Sequence, residues 1–278
     1  MKIDVVVPIY NAFSALKNCL TSLEQNQQHA NQIILINDAS TDKRVQILLE
    51  EFQKRNSWQV IHHKKNKGFV VTANEGLQLS ENNTLLLNSD TIVSRFWLQA
   101  FQKALIENKQ LGTATAWSNN AEICSFPNFL QNNPQPAALN KLAQILYENY
   151  QPSYPKIPTA VGFCMLVSKQ AKEKVGYFDE QHFGHGYGEE NDYSLRIEQK
   201  GLINILCDNA YVIHVGNESF NDFGLQPNEG TMQRLLQKHP GYLNMIQDYI
   251  NQDPLNTVRA EILNLISIHD NKLYQALK

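Results

Sequence analysis

Long apolar runs are missing from this 278-residue chain: none approaches the roughly 20 residues that a bilayer-spanning helix needs, which excludes an integral membrane helix. Cysteine is scarce. Cys19, Cys124, Cys164 and Cys207 lie far apart, so neither a zinc cluster nor a paired-thiol redox motif is expected. Positive charge is not in excess, with a formal net charge of −3, and this excludes a binder that draws its affinity from neutralising many nucleic-acid phosphates. No G-x-G-x-x-G follows the first apolar run, which argues against nicotinamide chemistry. That first run carries Asp4 and has no small-residue cleavage site behind it, so it reads as a strand rather than a secretory leader, and a cytoplasmic protein is expected.

What is present is a repeating order, in a composition (42% hydrophobic, 18% charged) that can bury a sizeable core. Ile3-Asp4-Val5-Val6-Val7-Pro8 is β-branched and almost continuously apolar, the pattern of a strand covered on both faces, and Pro8 is expected to end it. Asn11 then caps a helix over 12–26 in which Leu16, Leu20 and Leu23 share one face. Gln32-Ile33-Ile34-Leu35-Ile36, a polar loop over 37–42 and a helix carrying Val45, Leu48, Leu49 and Phe52 repeat the unit. A weaker strand at 58–61 leads to the basic run His62-His63-Lys64-Lys65-Asn66-Lys67, which reads as a solvated turn or as a handle for a diphosphate or an acidic surface. A helix over 70–79 follows, and then Thr84-Leu85-Leu86-Leu87-Asn88-Ser89-Asp90-Thr91, a buried strand that delivers a polar tip.

The remaining pattern predicts a helix over 96–107 and a strand over 111–116. Prolines and paired asparagines break the order between 118 and 158, around one helical piece at 139–150, so a mobile insertion is expected there. Order returns in a strand over 160–167, a helix capped by Ser168, a Gly-rich loop running into Glu189-Glu190-Asn191-Asp192, and a strand over 203–213 that ends in His214-Val215-Gly216. Residues 228–278 show helical spacing, divided by Gly241 and Pro254 into two or three helices that dock on the rest or mediate self-association. The alternation implies an α/β fold: a doubly wound, mostly parallel sheet flanked by helices over 1–220, with a helical C-terminal extension over 221–278. In such sheets ligands gather outside the carboxyl ends of the strands.

Six ionisable residues fall at those ends or at a helix start: Asp38, Asp90, Glu189, Glu190, Asp192 and His214. Asp90 alone reads as a turn residue capping a following helix, and one or two acids in a first helical turn are ordinary partners of its dipole. The full set is too concentrated for capping. Brought to one crevice, it can hold a nucleoside diphosphate through a divalent cation, with Asp38 accepting from base or ribose and with Asp90 and His214 on the metal. One of Glu189, Glu190 or Asp192 could then take the proton of an acceptor hydroxyl.

At these residues the sequence resembles the family 2 glycosyltransferases with the GT-A fold. The pieces that carry the resemblance are Val5-Val6-Val7-Pro8-Ile9-Tyr10-Asn11, Asn37-Asp38-Ala39-Ser40-Thr41-Asp42, Asn66-Lys67-Gly68-Phe69 with Ala73-Asn74, Leu87-Asn88-Ser89-Asp90-Thr91, Gly188-Glu189-Glu190-Asn191-Asp192-Tyr193-Ser194-Leu195-Arg196 and His214-Val215-Gly216. They stand in the family's order. The resemblance implies nucleotide contacts at Pro8, Tyr10 and Asp38, with Asn11, Asn74 and Ser89 grouped with them. It further implies metal binding at Asp90 and His214, a catalytic base at Glu190 with Glu189 and Asp192 as runners-up, and Arg196 as a structural partner of the acidic loop. Two departures stand out: Asn88 replaces the first acid of the DxD metal motif, and the usual Glu-Asp pair reads Glu189-Glu190.

The resemblance implies an inverting, metal-assisted transfer, with Mn²⁺ or Mg²⁺, of a sugar from a nucleotide-diphosphate donor to a hydroxyl of a glycan or lipid-linked acceptor. The insertion over 118–158 would lie on the acceptor side. Peripheral association with the inner face of a membrane and self-association through the C-terminal helices are further expectations; a nucleic-acid partner is not expected. The alternatives are a sugar nucleotidyltransferase, disfavoured because Pro8-Ile9-Tyr10-Asn11 offers neither glycine nor lysine for a triphosphate, and a catalytically silent nucleotide-sugar or glycan-binding module.

Overall fold

A computed structural model describes residues 1–184, 186–216 and 229–278. The first half follows the alternation read from the sequence: β1 (Ile3–Ile9), α1 (Phe13–Gln25), β2 (Gln32–Asn37), α2 (Lys43–Arg55), β3 (Gln59–His62), α3 (Phe69–Leu79) and β4 (Asn83–Leu87). β1 pairs in parallel with β2 on one side and β4 on the other, and β3 extends the sheet beyond β2. Val5, Val7, Ile33 and Leu35 face one apolar layer, while Val6, Ile34 and Ile36 face the other, as period-two alternation in a doubly covered sheet requires. Pro8 does not end its strand. It pairs with Ile36 within β1, two residues past Val6, where the pairing with β4 stops.

The second half departs further from simple alternation. β5 (Thr91–Val93) is split from β4 by a turn at 88–90, so the predicted strand end at Asp90 is in fact a corner. α4 (Trp97–Glu107), β6 (Leu111–Trp117), a short 3₁₀ turn (Glu122–Cys124), α5 (Leu139–Asn149), β7 (Cys164–Val167), α6 (Lys169–Val175), α7 (Glu180–Phe183), α8 (Glu189–Gln199) and β8 (Ile203–His214) follow. Among the described residues the sheet has eight strands in the order β3-β2-β1-β4-β7-β6-β8-β5. β7 runs antiparallel to both β4 and β6, and β5 runs antiparallel to β8. The strand expected from residue 160 begins only at Cys164. The expected mobile insertion is packed: Ile123, Cys124, Phe126, Leu142, Ile145 and Leu146 belong to the main core, and the buried Asp208 carboxylate ties its far end by accepting from Tyr150 Oη, Ser153 N and Oγ, and Tyr154 N.

Among the described residues four C-terminal helices follow instead of two or three: α9 (Glu229–Lys238), α10 (Tyr242–Gln252), α11 (Asn256–His269) and α12 (Asn271–Leu277). Asp270 caps α12 by accepting from Leu273 N, and this stop signal separates the last two. Leu255, Ile262, Ile266, Leu273 and Leu277 join the same core as the sheet. The expected boundary at 220/221 lies outside the described residues. All four cysteines are free and buried, and among the described residues no helix is long and apolar enough to cross a membrane.

Candidate functional site

The carboxyl ends of β1, β2 and β4, the turn at 88–90, the loop after β6 and the start of α8 enclose one cavity of about 340 Å³. Its lining includes Pro8, Tyr10, Asp38, Ser89, Asp90, Glu189, Glu190 and His214, so eight of the eleven residues singled out from the sequence meet there. The other three do not line it. Asn11 was also expected to cap α1, but Ala12 occupies the cap position in a left-handed conformation (φ 49°) and no side chain caps the helix. Asn11 Oδ1 instead accepts from Thr41 N at 2.8 Å, Thr41 Oγ1 at 3.2 Å and Asp42 N at 3.1 Å, tying the first two loops together. Asn74 bonds the backbone of Phe178 through both ends of its amide and also reaches Glu180. Asp192 is fully buried behind the cavity among Arg196, Lys238 and His239.

Asp38 is held rigidly. Its Oδ1 accepts from Lys67 N at 2.8 Å and faces His63 Nδ1 at 2.7 Å, and its Oδ2 accepts from Gly68 N at 2.9 Å. His63 also reaches Glu75 Oε2 at 3.0 Å, where Lys67 Nζ arrives at 2.9 Å. The basic run is the expected solvated turn at His62, Lys64, Lys65, Asn66 and Lys67, which are exposed, whereas the His63 ring turns inward and joins the N–H of Lys67 in the wall around Asp38.

Pairing of Thr91 with His214 across β5 and β8 sets Asp90 beside the imidazole. His214 Nε2 stands 3.5 Å from Asp90 Oδ1, while Nδ1 lies 2.8 Å from Asn120 O, so a proton on Nδ1 leaves Nε2 to face the carboxylate. Phe163 stacks on the imidazole at 5.1 Å. Asn119 fixes the backbone of His214 from both sides, accepting from its N–H and donating to its carbonyl. Gly216 follows at φ 78°, and a Cβ there would collide with the Asn120 side chain. Burial alone would lower the His214 pKa, but the hydrogen bond and charge of Asp90 overcome it and the net shift is upward. The orienting second bond and the adjoining carboxylate are features of an imidazole set up as a metal ligand. Among the described residues no group of three or more acids, histidines or cysteines is arranged to hold an ion. Two protein donors fit a cation that takes its remaining ligands from substrate phosphates and water.

Across the cavity, Gly188 (φ 97°) starts α8 with no side-chain cap, and Glu189 and Glu190 occupy its first turn. Each leaves one buried carboxyl oxygen without a hydrogen-bond partner. Burial, followed by the neighbouring Glu190 charge, pushes the Glu189 carboxyl well above the ordinary range. Burial likewise lifts Glu190, to about 7, and Glu122 at the cavity wall adds to the rise. Two acids in a helix's first turn would ordinarily be stabilised as anions by its dipole, so the upward shift shows that desolvation wins here. The buried Thr72 hydroxyl, also lining the cavity, has no partner either. Asn120, Phe163, Glu122 and Thr72 were missed from the sequence: Phe163 read as strand core and Asn120 as loop composition, and only the tertiary pairing brings them to the cavity.

Residues 4–176 match the family model described as Glycosyl transferase family 2. Over 189 residues the chain is 26% identical to the poly-beta-1,6-N-acetyl-D-glucosamine synthase of Staphylococcus epidermidis, covering 64% of this chain and 42% of that protein. It is 25% identical over 247 residues to the Bacillus subtilis glycosyltransferase YwdF, covering 86% and 84% respectively. The chain spans less than half the length of the first curated relatives it matches. Among solved structures, GalNAc-T7 with UDP, GalNAc and Mn²⁺ superposes with a TM-score of 0.65 at 14% identity, covering 85% of this chain and 47% of that one. Staphylococcus aureus TarS 1-349 in complex with UDP-GlcNAc superposes with a TM-score of 0.56 at 15% identity, covering 100% and 82%. The matched residues show that the chain belongs to glycosyl transferase family 2, and its fold is that of the GT-A structures.

Proposed function

We infer that the chain moves a sugar from a nucleotide-diphosphate donor to a hydroxyl of a glycan or lipid-linked saccharide, inverting the anomeric carbon. The observation that carries this reading is the meeting in one cavity of a ligand-like pair, Asp90 and His214, with a buried, incompletely bonded acid pair, Glu189 and Glu190. Pro8, Tyr10, Asp38 and Ser89 bind the nucleotide. Asn11, Asn74 and Asp192 support that wall and the acidic helix from behind rather than touching the donor.

Glu190 is the base. With its pKa near 7 it is partly ionised at neutral pH, and an acid of that strength can take the proton of an acceptor hydroxyl as the oxygen attacks the anomeric carbon. Glu189, pushed well above the ordinary carboxyl range by burial and by the Glu190 charge, is the protonated partner that donates to the Glu190 carboxylate. A single displacement opposite the leaving diphosphate inverts the configuration. Held by Asp90 and His214, a divalent cation such as Mn²⁺ or Mg²⁺ would supply positive charge to the departing diphosphate. Asn88 in place of a first acid leaves the ion no third protein ligand there, so the diphosphate itself must complete the site. A lipid-linked acceptor would bring the chain to the membrane surface peripherally.

The test is release of nucleoside diphosphate from UDP-N-acetylglucosamine, UDP-glucose and GDP-mannose, with and without Mn²⁺, by the wild-type chain, Asp90→Ala and Glu190→Gln. Wild-type rates in both variants would overturn the assignment. The missing first acid also favours a silent donor-binding module; tight UDP binding with no release from any donor, across a broad acceptor panel, would establish that second reading.

A further inference from the structure

Asp192 stands two residues after Glu190 with no exposed surface, yet two cationic side chains and an imidazole surround it. Arg196, one turn along α8, donates from Nε at 2.8 Å. The other two come from the far end of the chain: Lys238 Nζ at 2.7 Å and His239 Nε2 at 2.8 Å, some 47 residues away in sequence. Lys238 Nζ also reaches Asp179 Oδ2 at 2.6 Å, so one ammonium bridges the carboxylate that caps α7 and the carboxylate in the first turn of α8. Its charge sits 5.6 Å from the Phe183 ring, and Phe183 fills the space where Gly188 lacks a Cβ. Arg234 donates to His182 O at 2.6 Å. The C-terminal helices thus grip both flanks of the segment that carries Glu189 and Glu190 into the cavity.

Arg196 alone would neutralise Asp192 and would do so from the same helix. A second cation and an imidazole from α9 and its end are more than a lone carboxylate needs, and they act on the first turn of α8, where the acid pair sits. Without Lys238, Asp179 and Asp192 lose the one ammonium they share, and nothing else described links α7 to the acidic turn by charge. Resting on the reading of Glu190 as the base, we propose that Lys238 and His239 are positioning residues for glycosyl transfer: by clamping and neutralising Asp192 they fix the orientation of Glu190 in the cavity and shield it from a third carboxylate. Asp192 is the link in this chain. Burial would raise its pKa, and Lys238, His239 and Arg196 bring it below the ordinary range, which keeps it an anion at working pH. Among the described residues the other titratable groups whose charge couples to Glu190 are Glu189, Glu122, Tyr187 and Tyr242, and none of these carries a positive charge.

The experiment uses the full chain with Lys238→Met, His239→Asn and the conservative Lys238→Arg. Hydrolysis of the three donors named above is followed with Mn²⁺, and the Glu190 carboxyl is titrated by carbon-13 NMR, which needs no donor. In Lys238→Met, kcat should fall roughly ten- to a hundredfold with donor KM nearly unchanged, because misplacing a catalytic group by about an ångström costs that much. The Glu190 titration and the acidic limb of the kcat profile should both move to higher pH as Asp192 loses a cation, and Lys238→Arg should restore both. Should Lys238→Met fail to fold, His239→Asn is read by the same titration. Folded variants with wild-type kcat and an unmoved Glu190 titration overturn the proposal, even if their Tm falls, since that is what a merely structural clamp gives. Glu190→Gln separates the two failures: if it keeps wild-type rates the base assignment is lost, whereas if it is inactive while Lys238→Met behaves as wild type only the positioning role is lost.

Discussion

Asp38 and the Glu189–Glu190 pair line one cavity, and Asp38 and Glu189 are buried to a similar degree with Glu190 half-buried beside them, but the two sites meet burial in opposite ways. Every oxygen of Asp38 has a partner, two of them backbone N–H groups of the loop before α3. The acid pair keeps unpartnered oxygens and is shifted strongly upward. A satisfied carboxylate is a fixed shape that a ligand can read; an unsatisfied one can change its charge during a reaction. Asp192 makes the contrast sharper, since it shares a helix with the pair and is buried more completely, yet Lys238, His239 and Arg196 hold it as an anion. Neighbouring acids on one turn are therefore driven towards the neutral or the ionised form by their partners and not by burial alone.

The largest effect should come from breaking the unsatisfied side. Glu190→Gln keeps shape and removes the proton acceptor, so transfer should fall about 10²- to 10⁴-fold, measured as diphosphate release. Its stability should move the other way. A carboxyl whose folded pKa is raised loses stability as pH climbs from its unfolded value near 4.5 to its folded value near 7, because the unfolded chain ionises first. Above pH 7 the glutamine variant should accordingly melt higher than the wild type, while below about pH 4.5 the difference should vanish. For the same reason wild-type activity should rise with pH through about 7. A variant that lost activity and stability together would place Glu190 with the scaffold.

The metal-type pair comes next. His214→Ala should weaken Mn²⁺ activation at least roughly tenfold, since even residues that only support a metal ligand commonly cost that much. Chelation with EDTA should reproduce the loss in the wild type and add little in the variant. If Mn²⁺ activates both chains with the same midpoint, Asp90 and His214 form an ion pair and nothing more.

Asp38→Ala tests the satisfied side. It strands the N–H groups of Lys67 and Gly68 and the ring of His63, so stability should fall by about 2–4 kcal/mol in denaturant titration, from unpaired buried donors. Donor KM should rise more than kcat falls. Loss of kcat alone would erase the distinction drawn between the two carboxylate sites.

The same distinction explains what could be read in advance. β1, β2 and β4 were legible because a strand covered on both faces is written as a continuous apolar run, and eight cavity residues followed because strand ends in such a sheet converge. What stayed hidden depended on partners distant in sequence. Nothing around Asp192 announces Lys238, nothing around Asp38 announces His63, and the corner at 88–90 exists because β5 pairs with β8, more than a hundred residues on. Pro8 was misjudged for a related reason: its cost depends on whether a neighbour is present, and pairing on the β4 side had already ended.

Asn11 is the smallest and most local test of that lesson. Its position just past β1 suggested both a helix cap and a nucleotide contact, but its carbonyl oxygen serves Thr41 and Asp42, and its N–H donates to Ser40 Oγ at 2.9 Å. Its φ of 52° adds a preference, because asparagine tolerates the left-handed region better than most residues. Asn11→Ala should therefore cost about 1–2 kcal/mol of stability, from stranded donors at a loop that water can partly reach, together with mild backbone strain. Asn11→Asp keeps the acceptor and should recover most of that loss. Donor KM and kcat should stay within about twofold of wild type in both, because the loop it ties lies beside the cavity and Asn11 does not line it. A large rise in KM with stability intact would return Asn11 to the nucleotide wall, and the rule that a fully engaged side chain supports the site without touching the donor would then fail at its simplest case.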